Sequence, residues 1–115
     1  MIRFVITKKA ENNYAFDLRP EIGERFIQSV RFLNEDACRR ALADFRNEAQ
    51  LEETYVRSTT IQGDRFYFTM VTYTTLTARS SVFNSPEARE SVIETMKKYV
   101  ADAPIDPVVV DRCKV

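Results

Sequence analysis

The feature that most constrains this chain is an internal repeat with an offset of 51 residues. The segment Ser29-Val30-Arg31-Phe32 is matched by Ser80-Ser81-Val82-Phe83. The apolar positions that follow recur at the same offset, with Ala37, Ala41, Leu42 and Phe45 answered by Ala88, Val92, Ile93 and Met96. Repetition on this scale predicts one supersecondary unit that is used twice. The repeat therefore constrains the architecture, whereas it does not specify the chemistry.

The first copy has the pattern of three strands followed by a helix. Alternation of apolar and polar residues predicts two strands joined by the turn Asn12-Asn13, because asparagine tolerates left-handed backbone. A third strand is predicted over residues 26–29. Asn34 is a good N-cap for a helix over about residues 35–49, whose apolar positions recur at helical spacing.

The second copy repeats this order and adds a strand. A strand over residues 55–61 leads through the turn Gln62-Gly63-Asp64 into a second strand, and a third strand ends at Ser80. Ser85-Pro86-Glu87 combines an N-cap, a proline at the first helical position and an acidic residue, which is typical of a helix start. The β-branched run Val108-Val109-Val110 predicts one more strand.

These patterns predict one α+β domain, residues 1–115, built of two repeats at about 2–52 and 53–112. The repeats are expected to share one antiparallel sheet of about seven strands, with two helices on one face and a pseudo-twofold axis. The predicted core consists of the large apolar residues on the helix-facing sides of these elements: Ile2, Phe4, Tyr14, Phe16, Leu18, Leu42, Phe45, Phe66, Phe68, Met70, Ile93 and Met96.

Two stretches of the chain resemble the YegP-like proteins, a family of small bacterial proteins of uncharacterised function. They are Tyr14-Ala15-Phe16-Asp17-Leu18 with Ser29-Val30-Arg31-Phe32, and residues 63–70 with Ser80-Ser81-Val82-Phe83. The resemblance implies a tandem unit of three strands, a helix and a strand, in which the two units exchange their last strands. It implies no activity. The family usually has an Asn-Gly turn before the third strand, where this chain has Ile22-Gly23-Glu24 and Tyr73-Thr74-Thr75.

The composition argues against several classes of site. The chain has no histidine, so it lacks the usual base of a catalytic triad and the commonest metal ligand. Cys38 and Cys113 lack the short paired spacing of a zinc site. Basic and acidic residues both number 17, and a net charge of zero argues against nucleic acid or an anionic membrane as the main partner. We therefore expect no catalytic residue, no metal site and no cofactor.

The start of the chain and its cysteines indicate a location. Residues 2–6 alternate like a strand rather than a signal peptide, and no apolar run approaches the ~20 residues of a membrane helix. Two cysteines without a leader are typical of free thiols in a reducing compartment. We expect a cytoplasmic monomer or weak homodimer with no membrane contact.

Three groups of residues have side chains that could act in catalysis, but a structural role explains each group better. Ser29 and Ser80 occupy equivalent positions and have no base nearby, so bonds from their hydroxyls to the backbone are expected. Cys38 begins a helix, but the equivalent position holds Arg89, which indicates packing rather than a nucleophile. The carboxylates after the first helix are expected to be solvated rather than an acid–base pair: Glu48, Glu52 and Glu53.

The remaining candidate surface is the sheet face that the helices leave uncovered. Alternation places five residues there: Arg3, Val5, Tyr67, Thr69 and Val71. An open sheet with aromatic and arginine side chains can hold single-stranded nucleic acid, although an ordinary half-solvated face explains the same residues.

We expect a non-enzymatic binding or interaction module that acts through this face or an edge strand. A small-molecule enzyme of unknown type and a weak nucleic-acid binder are the alternatives. A strongly apolar open face would favour the first interpretation. A deep pocket that holds a buried carboxylate or Cys38 would favour an enzyme, and a continuous arginine and lysine stripe would favour nucleic acid.

Overall fold

A computed structural model describes residues 2–111, and it contains seven strands and two helices in that range. The strands are β1 Arg3–Ala10, β2 Asn13–Arg19, β3 Ile27–Ser29, β4 Tyr55–Thr59, β5 Phe66–Thr72, β6 Thr75–Ser80 and β7 Val109–Val110. The helices are α1 Glu35–Glu48 and α2 Pro86–Tyr99, and two short 3₁₀ turns follow them at Glu52–Thr54 and Val100–Asp102. The predicted α+β fold class is confirmed.

The seven strands form one sheet in the order β4-β5-β6-β3-β2-β1-β7. Six of them pair antiparallel, while β7 runs parallel to β1, so the sheet is mixed rather than wholly antiparallel as predicted. After α2, the chain returns to lie beside the start of β1. At that point the Phe4 amide donates a hydrogen bond to the Pro104 carbonyl. The chain then follows β1 in the same direction, and the Asp111 amide donates to the Lys8 carbonyl. The last strand of the sheet, β7, therefore lies beside the first strand, β1.

The helices begin at the predicted caps. The Asn34 side chain accepts a hydrogen bond from the Ala37 amide, and Ser85 accepts one from the Ala88 amide. These bonds satisfy amide groups that the first helical turn leaves without a partner. The described range contains no helix long and apolar enough to cross a membrane.

Both helices pack on one face of the sheet and form a single core. Leu42 and Phe45 of α1 and Ile93 and Met96 of α2 are buried in the same cluster as the inward residues of β1, β2 and β5. The Phe45 ring contacts the Phe16 ring edge-on at 5.3 Å between centroids. Each fully buried large side chain contributes about 1.5–3 kcal/mol to stability.

The predicted core is confirmed except at two positions. Tyr14 and Phe66 are only partly buried. Tyr14 packs against the outside of the core cluster, and Phe66 lies beside it. Each forms an isolated bridge, Tyr14 with Phe32 and Phe66 with Phe83, at the margin of the sheet. Residues at such a margin have neighbours on one side only, so they keep contact with solvent.

Several contacts recur between residues that are 51 or 52 positions apart in the chain. The Phe16 and Phe32 rings stack with an interplanar angle of 8°, and the Phe68 and Phe83 rings stack at 10°. The Arg46 guanidinium lies over the Phe4 ring, as the Lys97 ammonium lies over the Tyr55 ring. The boundaries of the two repeats stay a prediction, which superposition of residues 2–50 on 53–101 tests.

The hairpin turn between β5 and β6 is strained. Its two loop residues, Tyr73 and Thr74, have φ of 50° and 63°. Two positive φ values are the geometry of a type I′ turn, which favours Asn-Gly because bulky and β-branched side chains clash with the backbone in that region. The chain therefore keeps a turn conformation that its own residues disfavour.

We predict that Phe45→Ala and Met96→Ala each lower the free energy of unfolding by about 2–5 kcal/mol, because each leaves a cavity in the shared core. Denaturant melts measure the loss, with Arg40→Ala on the exposed side of α1 as the control. Losses below about 0.5 kcal/mol, which is the range of surface sites, would remove both residues from the core.

We predict that the double change Tyr73→Asn and Thr74→Gly raises the free energy of unfolding by about 1–2 kcal/mol, because it relieves the turn. Asn12→Gly is the matched control, since Asn12 also has a positive φ but is a residue type that tolerates it. A melting temperature below that of the wild-type chain would contradict the inference that the Tyr73-Thr74 turn is strained.

Candidate functional site

The sheet face opposite the helices carries one aligned row of residues. Strand register places them directly beside one another, in the order Val5, Asp17, Gln28, Arg79, Thr69 and Val56. The row begins and ends with valine and is polar in its middle. Cross-strand neighbours on one face lie about 4.5–5.5 Å apart at Cβ, so these side chains meet.

The register of β3 and β6 is consistent with the predicted offset of 51 residues. That offset relates the pair Ile27–Ser80 to the pair Ser29–Ala78 and relates Gln28 to Arg79, its own partner in the register. The pseudo-twofold axis itself stays a prediction. At the pair on which it would lie, one strand has an amide and the other has a guanidinium.

A groove of about 500 Å³ lies along β3 and β6 at this position. Its polar lining consists of Glu24, Arg25, Gln28, Arg79 and three serines. Three apolar residues contribute exposed surface: Val30, Leu76 and Val82. A volume of this size is typical of ligand sites, which combine apolar walls with a few polar groups.

Arg79 is a cation of the groove that forms no ion pair within residues 2–111, although Glu24 also lines the groove. Its guanidinium carbon lies 4.7 Å from the centre of the Tyr67 ring, a cation–π contact that holds the side chain on the open face. Within residues 2–111, no carboxylate forms an ion pair with Arg79. Its donors are therefore available to an anion.

The other arginines of this face are held by acidic partners. Asp17 is 4% exposed and accepts two hydrogen bonds from Arg19, at 2.7 and 3.0 Å, which raise the pKa of that guanidinium. Arg25 reaches Asp17 at 3.5 Å, longer than the 2.7–2.9 Å of a strong charged hydrogen bond, so it is held weakly. A second cavity of about 250 Å³ beside Asp17 shares Arg25 and Gln28 with the groove.

The five residues of the predicted surface lie in two separate places. Tyr67, Thr69 and Val71 are together on β5 and are half-buried. Arg3 lies on β1, bound to Asp106 at 2.9 Å, and Val5 beside it is buried. Strands β2, β3 and β6 lie between the two places, which separates them by roughly 19 Å.

Sequence reasoning missed the centre of this surface. Gln28 and Arg79 alternate with buried residues on their strands, and they share the repeat offset, so the pattern could have placed them on the open face. Arg25 lies in a loop with no periodicity, and nothing in the sequence marks its approach to Asp17.

The two equivalent serines have the structural role that the sequence predicts. The Ser29 hydroxyl accepts from the Phe16 amide at 2.9 Å and donates to the Val30 carbonyl. The Ser80 hydroxyl accepts from the Phe68 amide at 2.9 Å and donates to the Ser81 carbonyl. Each hydroxyl therefore replaces a backbone bond at the point where β3 or β6 leaves the sheet.

The carboxylate cluster after α1 is not arranged for acid–base work. Glu52 bonds to Arg57 and Lys97, and these contacts lower its pKa to about 2. A carboxyl group with that pKa stays ionised at neutral pH and cannot donate a proton. Arg57 also binds Glu90, whose pKa is lowered by the same guanidinium. The cluster joins β4 to α2 on the helix-covered side.

Cys38 is a buried free thiol in α1. Burial raises its pKa to about 11, because the thiolate would lose its hydration. The other cysteine, Cys113, lies outside the described residues. No group of histidine, cysteine or acidic residues that could hold a metal ion occurs within residues 2–111.

We predict that native Cys38 reacts with iodoacetamide at pH 7.5 on the order of 100-fold more slowly than in urea, because the thiolate is the reactive form. A Cys113→Ser variant isolates the signal, and mass spectrometry follows it. Equal rates in native and unfolded protein would reopen a catalytic interpretation of this thiol.

Comparison with known proteins gives relatives without an assigned activity. No family model matches the chain. The UPF0339 protein YegP of Escherichia coli K12 is 24% identical over 95 residues, which cover 82% of this chain and 86% of that protein. The protein of the same name from Shigella flexneri matches equally well over the same extent.

Two solved structures share the fold. The solution NMR structure of Escherichia coli yegP, titled a protein of unknown function, has a TM-score of 0.81 at 21% identity and covers 96% of this chain and 92% of its own. A UPF0339 protein from Shewanella oneidensis has a TM-score of 0.82 at 15% identity, with 91% and 89% covered. The resemblance seen in the sequence is therefore confirmed: the chain is homologous to UPF0339 protein YegP and has the α+β fold of the YegP-like proteins.

Proposed function

We propose that this chain is a non-enzymatic binding module, and that the groove along β3 and β6 holds an extended segment of a partner protein through a carboxylate. The observation that carries the proposal is Arg79. It lies in the groove, is fixed by the Tyr67 ring, and has no acidic partner within residues 2–111. An arginine in this position supplies several donors in a planar fork that fits a carboxylate.

Two of the three ionisable groups that line the groove are arginines, and the third is Glu24. A guanidinium group offers hydrogen-bond donors and no acceptor, so Arg25 and Arg79 favour binding of an anion. Asp17, the buried carboxylate of this face, is occupied by Arg19 and Arg25. The two arginines can therefore recognise an anion, while they offer no nucleophile or proton relay.

The charge distribution favours one anionic group over a polyanion. Arg3 is paired with Asp106 and Arg19 with Asp17, so the basic residues of this face do not form a continuous free stripe. Nucleic acids bind through many phosphate contacts, which need several uncommitted cations. The Tyr67 ring, the aromatic group of β5 on this face, is already covered by the Arg79 guanidinium.

The apolar walls support a protein segment as the occupant. Val30, Leu76 and Val82 expose 37%, 50% and 46% of their surface beside the polar centre. Burying apolar surface stabilises a complex by about 25 cal/mol per Å² before the ordering costs. A segment with an acidic residue and apolar neighbours uses both parts of the groove. The buried thiol of Cys38 suits the reducing cytoplasm, where we place this activity.

Selection of peptides from a random display library tests this proposal. We expect the wild-type chain to enrich peptides that contain Asp or Glu next to apolar residues. Arg79→Gln gives the second copy the residue of the first, and it should weaken binding of the enriched peptides about five- to tenfold through loss of a charged contact. Arg40→Gln, on the exposed side of α1, is the matched control and should bind normally.

Two outcomes would overturn the proposal. Enriched peptides without an acidic residue would show that the carboxylate is not recognised. If peptide binding survives Arg79→Gln but is lost when a residue outside the groove is changed, the binding site lies outside the groove. In a parallel arm, tight binding of a 20-nucleotide dT oligomer at physiological salt would favour the nucleic-acid alternative instead.

A further inference from the structure

We infer, on the basis of the function proposed above, that a small pocket beside the Tyr73-Thr74 turn holds one apolar side chain of the same bound segment. The pocket has a volume of about 180 Å³ and lies between the hairpin turn and α1. Its walls come from both sides of that gap and are mainly apolar: Val30, Phe32, Ala41, Tyr73 and Leu76. Apolar cavities of about 150 Å³ accept benzene, so this space suits a single side chain.

The pocket continues from the groove. Val30 and Leu76 line both cavities, so a segment that leaves the groove at this end passes directly over the pocket. Leu76 is 50% exposed and Tyr73 is 66% exposed. An occupant that spans both cavities would cover this apolar surface together with the polar centre of the groove.

The strained turn supports a binding role for this end of the hairpin. An Asn-Gly pair would form the same turn without strain, but it would remove the Tyr73 ring from the pocket wall. Residues with unfavourable backbone angles cost about 1–3 kcal/mol each, and such strain is concentrated at functional sites. The turn therefore combines a stability cost with an exposed aromatic side chain.

Charge fixes the direction in which the segment lies. Asp44 of α1 lies at the pocket, which has no basic residue in its lining, and repels a carboxylate. The groove has two arginines, Arg25 and Arg79, against the single acid Glu24, so it attracts the carboxylate. Leu76 and Arg79 are three residues apart on β6, a distance of roughly 10 Å. The acidic and apolar residues of the segment are therefore expected to be separated by about two residues.

Two peptides test this arrangement on the intact, ¹⁵N-labelled chain: acetyl-Leu-Ser-Ser-Glu-amide and acetyl-Ser-Ser-Ser-Glu-amide. We expect both to shift the amide signals of Gln28 and Arg79 in NMR spectra. We expect only the leucine peptide to shift those of Thr75 and Thr77, and to bind about tenfold more tightly because one apolar side chain is buried.

The double variant Tyr73→Asn and Thr74→Gly separates the pocket from the groove. It should bind the two peptides equally while it keeps the shifts at Gln28 and Arg79. If neither peptide shifts Arg79 in the wild-type chain, the proposed function itself fails. If both peptides shift the Arg79 signal but the leucine peptide binds no more tightly than the serine peptide, the pocket is not the apolar site. The same conclusion follows if the double variant still binds the leucine peptide more tightly.

Discussion

Two helices of fourteen residues can cover only one face of a seven-stranded sheet, and the rest of the structure depends on this limit. The covered face holds the shared core, in which Phe45 of α1 and Met96 of α2 are fully buried. The other face must then be compatible with water. In the middle of the sheet it is built from arginine, aspartate and glutamine, of which Asp17 is occupied by Arg19 and Arg25 while Arg79 forms no ion pair within residues 2–111.

The centre of the sheet joins the two halves of the chain through β3 and β6. Both strands end with a serine whose hydroxyl bonds to the neighbouring strand, which fixes the register there. The register aligns Gln28 with Arg79, so β3 and β6 are alike in their serines but differ at this facing pair, where only Arg79 is charged.

Local patterns predicted the elements, the caps and most of the core, because alternation and helical spacing report directly on which face is buried. Features that depend on distant chain segments were not predictable. The parallel pairing of β7 depends on where the chain returns after α2. Burial of Val5, and the approach of Arg25 to Asp17, likewise arise from packing between separate segments. The sequence therefore predicted that one face of the sheet is open, but it did not predict that Gln28, Arg79 and Arg25 lie at the centre of that face.

The most direct measurement is paramagnetic relaxation enhancement with a nitroxide attached to acetyl-Leu-Ser-Ser-Glu-amide and bound to the ¹⁵N-labelled chain. The account predicts that amide signals of β3 and β6 around Gln28 and Arg79 broaden most, while those on the solvent side of α2 broaden least. Strongest broadening in the apolar cleft of about 520 Å³ that Phe26 and Tyr99 line beside α2 would contradict it, because the peptide would then lie away from the groove.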